Sequence, residues 1–259
     1  MNAQRDPLPV LEEIPGFANA TVLSQLSDGP SNRSWEVSRD GDRFVLRIDK
    51  PETRELGLDR EAEKQVCQII ADIALGPEAV FFDAARGIYL RPFLPGRSWT
   101  TDDLHQPGKL QRLADLLRQV HRLALPEKHF DPLGAAQRYA RSLGTAEAEK
   151  MFDVVQRAFD KLRAASPALC HNDLVCHNVL ESGSLMLIDW EYAGAGDAFF
   201  DLAIIVQHHG LPGPLEQHFL EAYLGRPAQE SERRHLAAQK AFYAALLDLW
   251  EARLTLPND

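Results

Sequence analysis

Between residues 21 and 50 apolar and polar residues alternate in short runs, and this period of two predicts strands at 21–26, 34–39 and 43–49. The polar string Ser27-Asp28-Gly29-Pro30-Ser31-Asn32 separates the first two runs, and Asp40-Gly41 separates the next pair. An Asp-Gly pair in that place is a hairpin signal, because a tight turn needs positive φ at its centre. In the third strand Phe44, Leu46 and Ile48 share one face, while Arg43, Val45 and Arg47 share the other. Residues 58–74 predict a helix stopped by Gly76-Pro77, and 80–93 hold two more strand-like runs ending at Leu94-Pro95-Gly96. The N-terminal part is thus predicted as a small mixed sheet with one helix.

After Pro107 the period lengthens to that of helices. Leu110, Leu113, Leu117 and Val120 form one stripe, and Phe152, Val155, Phe159 and Leu162 form another. Leu215, Phe219 and Tyr223 mark a later helix, and Leu236, Tyr243, Leu247 and Trp250 a long last one. The helical pattern breaks once, at 168–193, where Val179-Leu180 and Leu185-Met186-Leu187-Ile188 flank Ser182-Gly183-Ser184 and predict a small hairpin with loops at its ends. The expectation is an α+β chain of two lobes, a sheet lobe over residues 1–94 and a larger, mainly helical lobe over 95–259.

Composition narrows the class. The 259 residues hold 28 Lys and Arg against 38 Asp and Glu, a net charge of −10, which disfavours nucleic acid as a ligand. A hydrophobic content of 45% with 25% charged residues is that of an ordinary globular protein. No apolar run approaches the roughly 20 residues that cross a bilayer, so membrane insertion is not expected. Residues 1–13 are too charged and proline-marked for a signal peptide. Cys67, Cys170 and Cys176 are odd in number and dispersed, which is not a disulfide framework. A cytoplasmic enzyme is the expectation.

The chemistry concentrates in His171-Asn172-Asp173-Leu174-Val175-Cys176-His177-Asn178, followed by Leu187-Ile188-Asp189-Trp190-Glu191. This satisfies the His-x-Asp-Leu-x-x-x-Asn pattern of a kinase catalytic loop, with Ile-Asp-Trp where protein kinases carry Asp-Phe-Gly. Phosphoryl transfer explains the residue types. One carboxylate orients the attacking hydroxyl and accepts its proton, and an amide oxygen with a second carboxylate holds Mg²⁺ on the nucleotide phosphates. Asp173, Asn178 and Asp189 fill those places in order. Taken singly, each also suits a polar turn or a strand end.

With these motifs, and with Glu191-Tyr192-Ala193-Gly194 and Gly196-Asp197 before Phe200-Asp201-Leu202-Ala203, the chain resembles the aminoglycoside phosphotransferase and choline kinase superfamily from about residue 21 to 250. It is most similar to choline, ethanolamine and thiamine kinases, since aminoglycoside phosphotransferases more often place Gly between the His and Asp. The resemblance implies a protein-kinase-like two-lobe fold and the use of ATP and Mg²⁺. It places Phe44-Val45-Leu46-Arg47 where kinases carry Val-Ala-Ile-Lys, so that Arg47 would contact the α/β-phosphates and Val45 the adenine. Arginine there departs from protein kinases, and a solvated strand residue is the plain alternative. The acid paired with Arg47 would be Glu63, with Glu61 open. Residues 89–93 would be the hinge where backbone groups, Phe93 among them, meet adenine. Only Gly29 is present in the phosphate turn, so Ser31 and Asn32 would supply donors that a glycine-rich loop gives elsewhere.

Other constellations are weaker. Cys170-His171 and Cys176-His177 would compete for one zinc ion, against the usual two to four residues between paired ligands. No Gly-x-Ser-x-Gly elbow is present. The resemblance implies structural roles for His121, near the catalytic loop, and for Asp201, bracing it. Asp197 is open between a helix start and an acceptor pocket, and Val206-Gln207-His208-His209 suits a helix end. For the acceptor, a small cationic alcohol would rest on carboxylates and aromatic faces, an arrangement worth about 0.5–2 kcal/mol per cation over a ring. The resemblance points to Glu191, Tyr192 and Trp250, with Tyr243 behind them, although aromatics at helical spacing also build cores. The expected activity is phosphorylation of a choline, ethanolamine or thiamine type hydroxyl. The alternatives are an aminoglycoside or amino-sugar kinase and a catalytically inactive kinase-like binding module.

Overall fold

A computed structural model of the chain describes residues 6–54 and 56–255, and it divides into two compact units, Met1–Pro95 and Gly96–Asp259. The first unit opens with a helix the apolar pattern does not predict, α1 (Pro7–Glu13). Proline at its first turn is compatible with a helix start, and the Asp6 carboxylate accepts the Leu8 N–H. Strands β1 (Thr21–Asp28), β2 (Asn32–Arg39), β3 (Asp42–Asp49), β4 (Phe81–Asp83) and β5 (Ile88–Pro92) form one sheet in the order β1-β2-β3-β5-β4. All its pairings are antiparallel, so the sheet is not mixed.

Asp40 and Gly41 take φ of 53° and 90°, the left-handed geometry the β2–β3 hairpin requires. Strands β1 and β2 run further into the polar string than predicted, pairing Ser27 with Ser34 and Asp28 with Arg33. The pairing of β1 is interrupted twice, between Val22 and Ser24 and between Gln25 and Ser27. Phe44, Leu46 and Ile48 bury one face of β3 in a core with Trp35, Val37, Ile88, Leu90, Phe17 and the Val10 and Leu11 of α1. The opposite face carries Val45 and Arg47, both buried. Helix α2 (Arg60–Asp72) starts where the Asp59 carboxylate accepts the Ala62 N–H, and it ends before Ala74 at φ 57°.

The second unit holds α3 (Thr101–Leu104), α4 (Pro107–Val120), α5 (Pro132–Leu143), α6 (Ala146–Phe159), α7 (Ala198–His208), α8 (Gly213–Leu224) and α9 (Glu230–Leu254). Leu110, Leu113, Leu117 and Val120 are all fully buried on α4. Helix α6 stops at Phe159, so Leu162 lies past its end in a turn donating to the Phe159 carbonyl. Residues 200–206 of α7 are buried on every side, which makes this helix the axis of the unit. Two small sheets complete it. In one, β6 (Arg97–Ser98), β8 (Val179–Ser182) and β9 (Ser184–Leu187) lie side by side, and in the other β7 (Ala168–Cys170) pairs with β10 (Gly194–Gly196). Gly183 closes the β8–β9 hairpin at φ 70°. No helix among the described residues is long and apolar enough to cross a membrane.

Gly194 meets the backbone of the 128–130 segment so closely that an added Cβ would lie 3.1 Å from the Phe130 nitrogen and 3.2 Å from the Lys128 oxygen. Gly194→Ala is therefore expected to destabilise the chain by about 1–3 kcal/mol, read as a lower denaturant midpoint with an unchanged m-value.

Candidate active site

In the first unit Arg47 is not a solvated strand residue. Its guanidinium is buried, with Nη1 donating to Glu63 Oε1 at 2.6 Å and Nη2 to Oε2 at 2.7 Å. Glu61 is exposed, so Glu63 is the partner. Arg60 donates a third bond to Glu63 Oε2 at 2.7 Å and grips Asp49 through two more at 2.7 Å. The result is a buried chain of alternating charge, Arg47–Glu63–Arg60–Asp49. Burial alone would push the Glu63 carboxyl up, but the charges and hydrogen bonds of Arg47 and Arg60 outweigh it and hold the group below the usual carboxylate range.

Ser31 and Asn32 are buried, and Asn32 Nδ2 donates to Ser31 Oγ at 2.9 Å. The Ser31 carbonyl accepts from Lys50 N and from the Thr53 hydroxyl. Val45 sits in the centre of the sheet opposite Glu36 and Arg91. The Phe93 N–H is spent on the Arg43 carbonyl at 2.9 Å, and the Arg43 guanidinium covers its ring at 3.9 Å. A backbone contact from Phe93 to adenine through its N–H is therefore closed, because the sheet extends that far; its carbonyl and ring are what it has left to offer.

In the second unit the segment after β7 is held by Asp201, in the first turn of α7. Its Oδ2 accepts the His171 N–H and its Oδ1 the Asn172 N–H, each at 2.8 Å, and His121 Nε2 donates to Oδ2 at 3.0 Å. Burial would push the Asp201 carboxyl up; the His121 bond and charge and the backbone donors outweigh this and hold it below its ordinary value. His121 Nδ1 pairs in turn with the Tyr223 hydroxyl at 2.9 Å. His171 Nε2 donates to the Ile188 carbonyl at 3.0 Å, and its ring lies on that of Trp190 with centroids 4.6 Å apart.

These anchors turn the chain at Asn172, whose φ is 63°, and leave Asp173 half-buried. Asn178 Nδ2 donates to the Asp173 carbonyl at 2.9 Å and to its carboxylate at 3.2 Å. Asp189 follows β9 with φ 68°, a left-handed conformation that is costly for a residue other than glycine. Burial pushes the Asp173 carboxyl well above its ordinary value, and the negative charges of Asp189 and Glu191 push the same way. The spacing of three motifs thus brings Asp173, Asn178, Asp189 and Glu191 into one neighbourhood.

Tyr192 belongs to it too. Burial raises its hydroxyl well above the ordinary value, helped by Tyr139, Glu191, Asp173 and Asp189. Tyr139, on α5, escapes sequence reasoning because that helix is small-residue rich and carries no motif. Its hydroxyl is pushed up to about 12, first by burial. Trp250 is half-buried with its ring 5.0 Å from that of Tyr139, and the Arg253 guanidinium lies over the Trp250 ring, 5.7 Å from its centroid. Tyr243 is turned to His208, whose Nδ1 is 2.8 Å from its hydroxyl. Asp197 has a structural place: it caps α7 through Phe199 N and accepts from His235 and Gln239 of α9 at 2.7 and 2.6 Å. Among the described residues only His121, Cys170 and Asp201 cluster as metal-binding types, and the Asp201 and His121 atoms there are already spent on the bonds above.

An antiparallel sheet with a buried Arg–Glu pair, and a helical unit whose short hairpin sets an Asp, an Asn and a second Asp together, define a kinase-like fold. The chain belongs to the phosphotransferase enzyme family, whose sequence profile matches residues 22–253. It is similar to Protein LicA of Haemophilus influenzae, 27% identical over 207 residues that cover 75% of this chain and 60% of that one. Among solved structures it is similar to the choline kinase LicA from Streptococcus pneumoniae, with a TM-score of 0.73 and 23% identity over 90% of this chain and 86% of that one. It also matches a choline/ethanolamine kinase family protein from Mesorhizobium loti, with a TM-score of 0.75 and 24% identity over 94% and 83%. At these identities the structural likeness is one of fold.

Asp201 supplies an acid-sensitive part of the stability. Because its folded carboxyl is held down, its contribution is complete above the unfolded value near pH 4 and is lost as the pH falls through the folded value. Asp201→Asn should flatten the acid limb of stability against pH, and Asp201→Ala should cost about 3–5 kcal/mol at neutral pH, both read by denaturant titration.

Proposed function

We propose that this protein is an ATP-dependent phosphotransferase acting on the hydroxyl of a small cationic metabolite of the choline, ethanolamine or thiamine kind. The observation that carries this is the Asn178 amide bonded to both the carbonyl and the carboxylate of Asp173, with Asp189 in electrostatic reach. In this reading residues 1–94 clamp the nucleotide and 95–259 carry the catalytic loop and acceptor site.

Asp173 orients the acceptor hydroxyl and takes its proton as that oxygen bonds to the γ-phosphorus and the bond to the β-phosphate oxygen breaks. With its Nδ2 spent on Asp173, Asn178 presents its carbonyl oxygen, and Asp189 adds a carboxylate; this all-oxygen donor set fits Mg²⁺. Bound there, Mg²⁺ would offset the charge on the phosphates. Arg47, fixed by Glu63, points a rigid cation at the nucleotide, with Val45 and Phe93 against adenine and the Ser31–Asn32 turn near the phosphates. Glu191 supplies the acceptor's counter-charge, and Tyr192 and Trp250, joined by Tyr139, supply aromatic faces. The names of the similar proteins favour choline or ethanolamine as acceptor. A cytoplasmic location suits the supply of ATP.

A coupled ATP-consumption assay over choline, ethanolamine, thiamine, kanamycin and glucose tests the reading. Highest kcat/KM is expected for one of the first three, and activity confined to kanamycin or glucose would overturn it. Asp173→Ala is expected to lower kcat by at least ~10² with nucleotide affinity nearly unchanged. Asp189→Ala should abolish Mg·ATP binding by calorimetry. Trp250→Ala should weaken transition-state binding of the acceptor by about 1–2 kcal/mol in kcat/KM.

A further inference from the structure

The catalytic loop has a second anchor, downstream of Asp173. His209, the C-cap residue of α7, brings its Nε2 to 3.0 Å from the Cys176 backbone nitrogen. Cys176 lies three residues after Asp173 and two before Asn178, and opens the 3₁₀ turn Cys176–Asn178 that carries Asn178. A backbone N–H can only donate, so Nε2 accepts and the ring proton sits on Nδ1, which is 3.5 Å from the Thr101 hydroxyl.

The ring is held in place from several sides. Gly210 takes φ 59° and the Leu211 N–H returns to the Val206 carbonyl, a helix stop that fixes where residue 209 stands. The His208 ring packs edge-on against it with centroids 4.8 Å apart and is itself tied to Tyr243. Burial pushes the His209 imidazole down to about 4, and the neighbouring His208, His177 and His105 act the same way. It is therefore neutral, with its Nε2 lone pair available, at ordinary pH.

We infer that His209 is a positioning residue for phosphoryl transfer. The eight residue steps from Asp201 to His209, the C-cap, make this end of α7 a rail about 12 Å long. One end holds the N–H groups of His171 and Asn172, before Asp173, and the other holds that of Cys176, between Asp173 and Asn178. Fixing both ends sets the distance between the base and the amide that bonds it. The inference rests on the proposed phosphotransferase reading.

The test compares His209→Leu, which keeps apolar bulk without an acceptor, with His209→Gln, whose Oε1 can occupy the place of Nε2. Steady-state kinetics are read beside amide hydrogen exchange at Cys176 and thermal melting. The Leu variant is expected to lose at least tenfold in kcat with both KM values within threefold, and to exchange the Cys176 amide faster. The Gln variant is expected to keep at least a third of kcat and the amide protection. Equal behaviour of the two, or a loss confined to KM or to the melting temperature, overturns the assignment. A wild-type chain inactive on every acceptor overturns the phosphotransferase reading, while the exchange contrast still decides whether His209 holds the loop.

Discussion

A single buried carboxylate governs the second unit. Asp201 has no exposure to solvent, and its two oxygens take two consecutive backbone N–H groups and an imidazole. Two such donors buried in a loop would otherwise stay unpaired, at a cost comparable to the whole net worth of several hydrogen bonds. Consecutive N–H groups normally point to opposite sides of an extended chain. Bringing both onto one carboxylate goes with the left-handed turn at Asn172, directly before Asp173. Apart from Asp201 itself, the buried residues of α7 are all apolar, which fits a helix that carries this charge inside the unit.

The first unit solves a related problem differently. Arg47 on the buried face of β3 would be ruinous alone, and it is neutralised by a chain of four alternating charges rather than by one pair. Each interior member is shared, so Glu63 receives three charged donors and Arg60 spends both edges of its guanidinium. A lysine in place of Arg47 would have one nitrogen to offer where two bonds are now made in one plane.

Much of this was legible where chemistry or turn geometry ties residues at short range. The Asp40-Gly41 turn, the four-leucine-type stripe of α4 and the spacing of Asp173, Asn178 and Asp189 belong to that class. Glu63 was preferred to Glu61 from the sequence, and helical spacing supports the choice: Glu63 lies four residues before Cys67 and seven before Ile70, on the buried stripe, and Glu61 does not. Helix α1 was hidden by proline and charge, although proline favours a helix start. Tyr139 and the reach of His209 to Cys176 depend on tertiary packing between segments 33 or more residues apart, and no local pattern encodes that. That the Phe93 N–H is taken by the Arg43 carbonyl was hidden for a related reason, since how far a sheet edge extends depends on the partner strand.

The interrupted pairing of β1 has a bearing on the chain's solubility. This outermost strand is exposed along nearly its whole length and carries Leu23 and Leu26 in the open. A straight, regularly bonded edge of that kind would template a strand from another molecule. Two irregularities within eight residues break the row of outward N–H and C=O groups into short pieces, the kind of interruption that blunts an edge strand as a template.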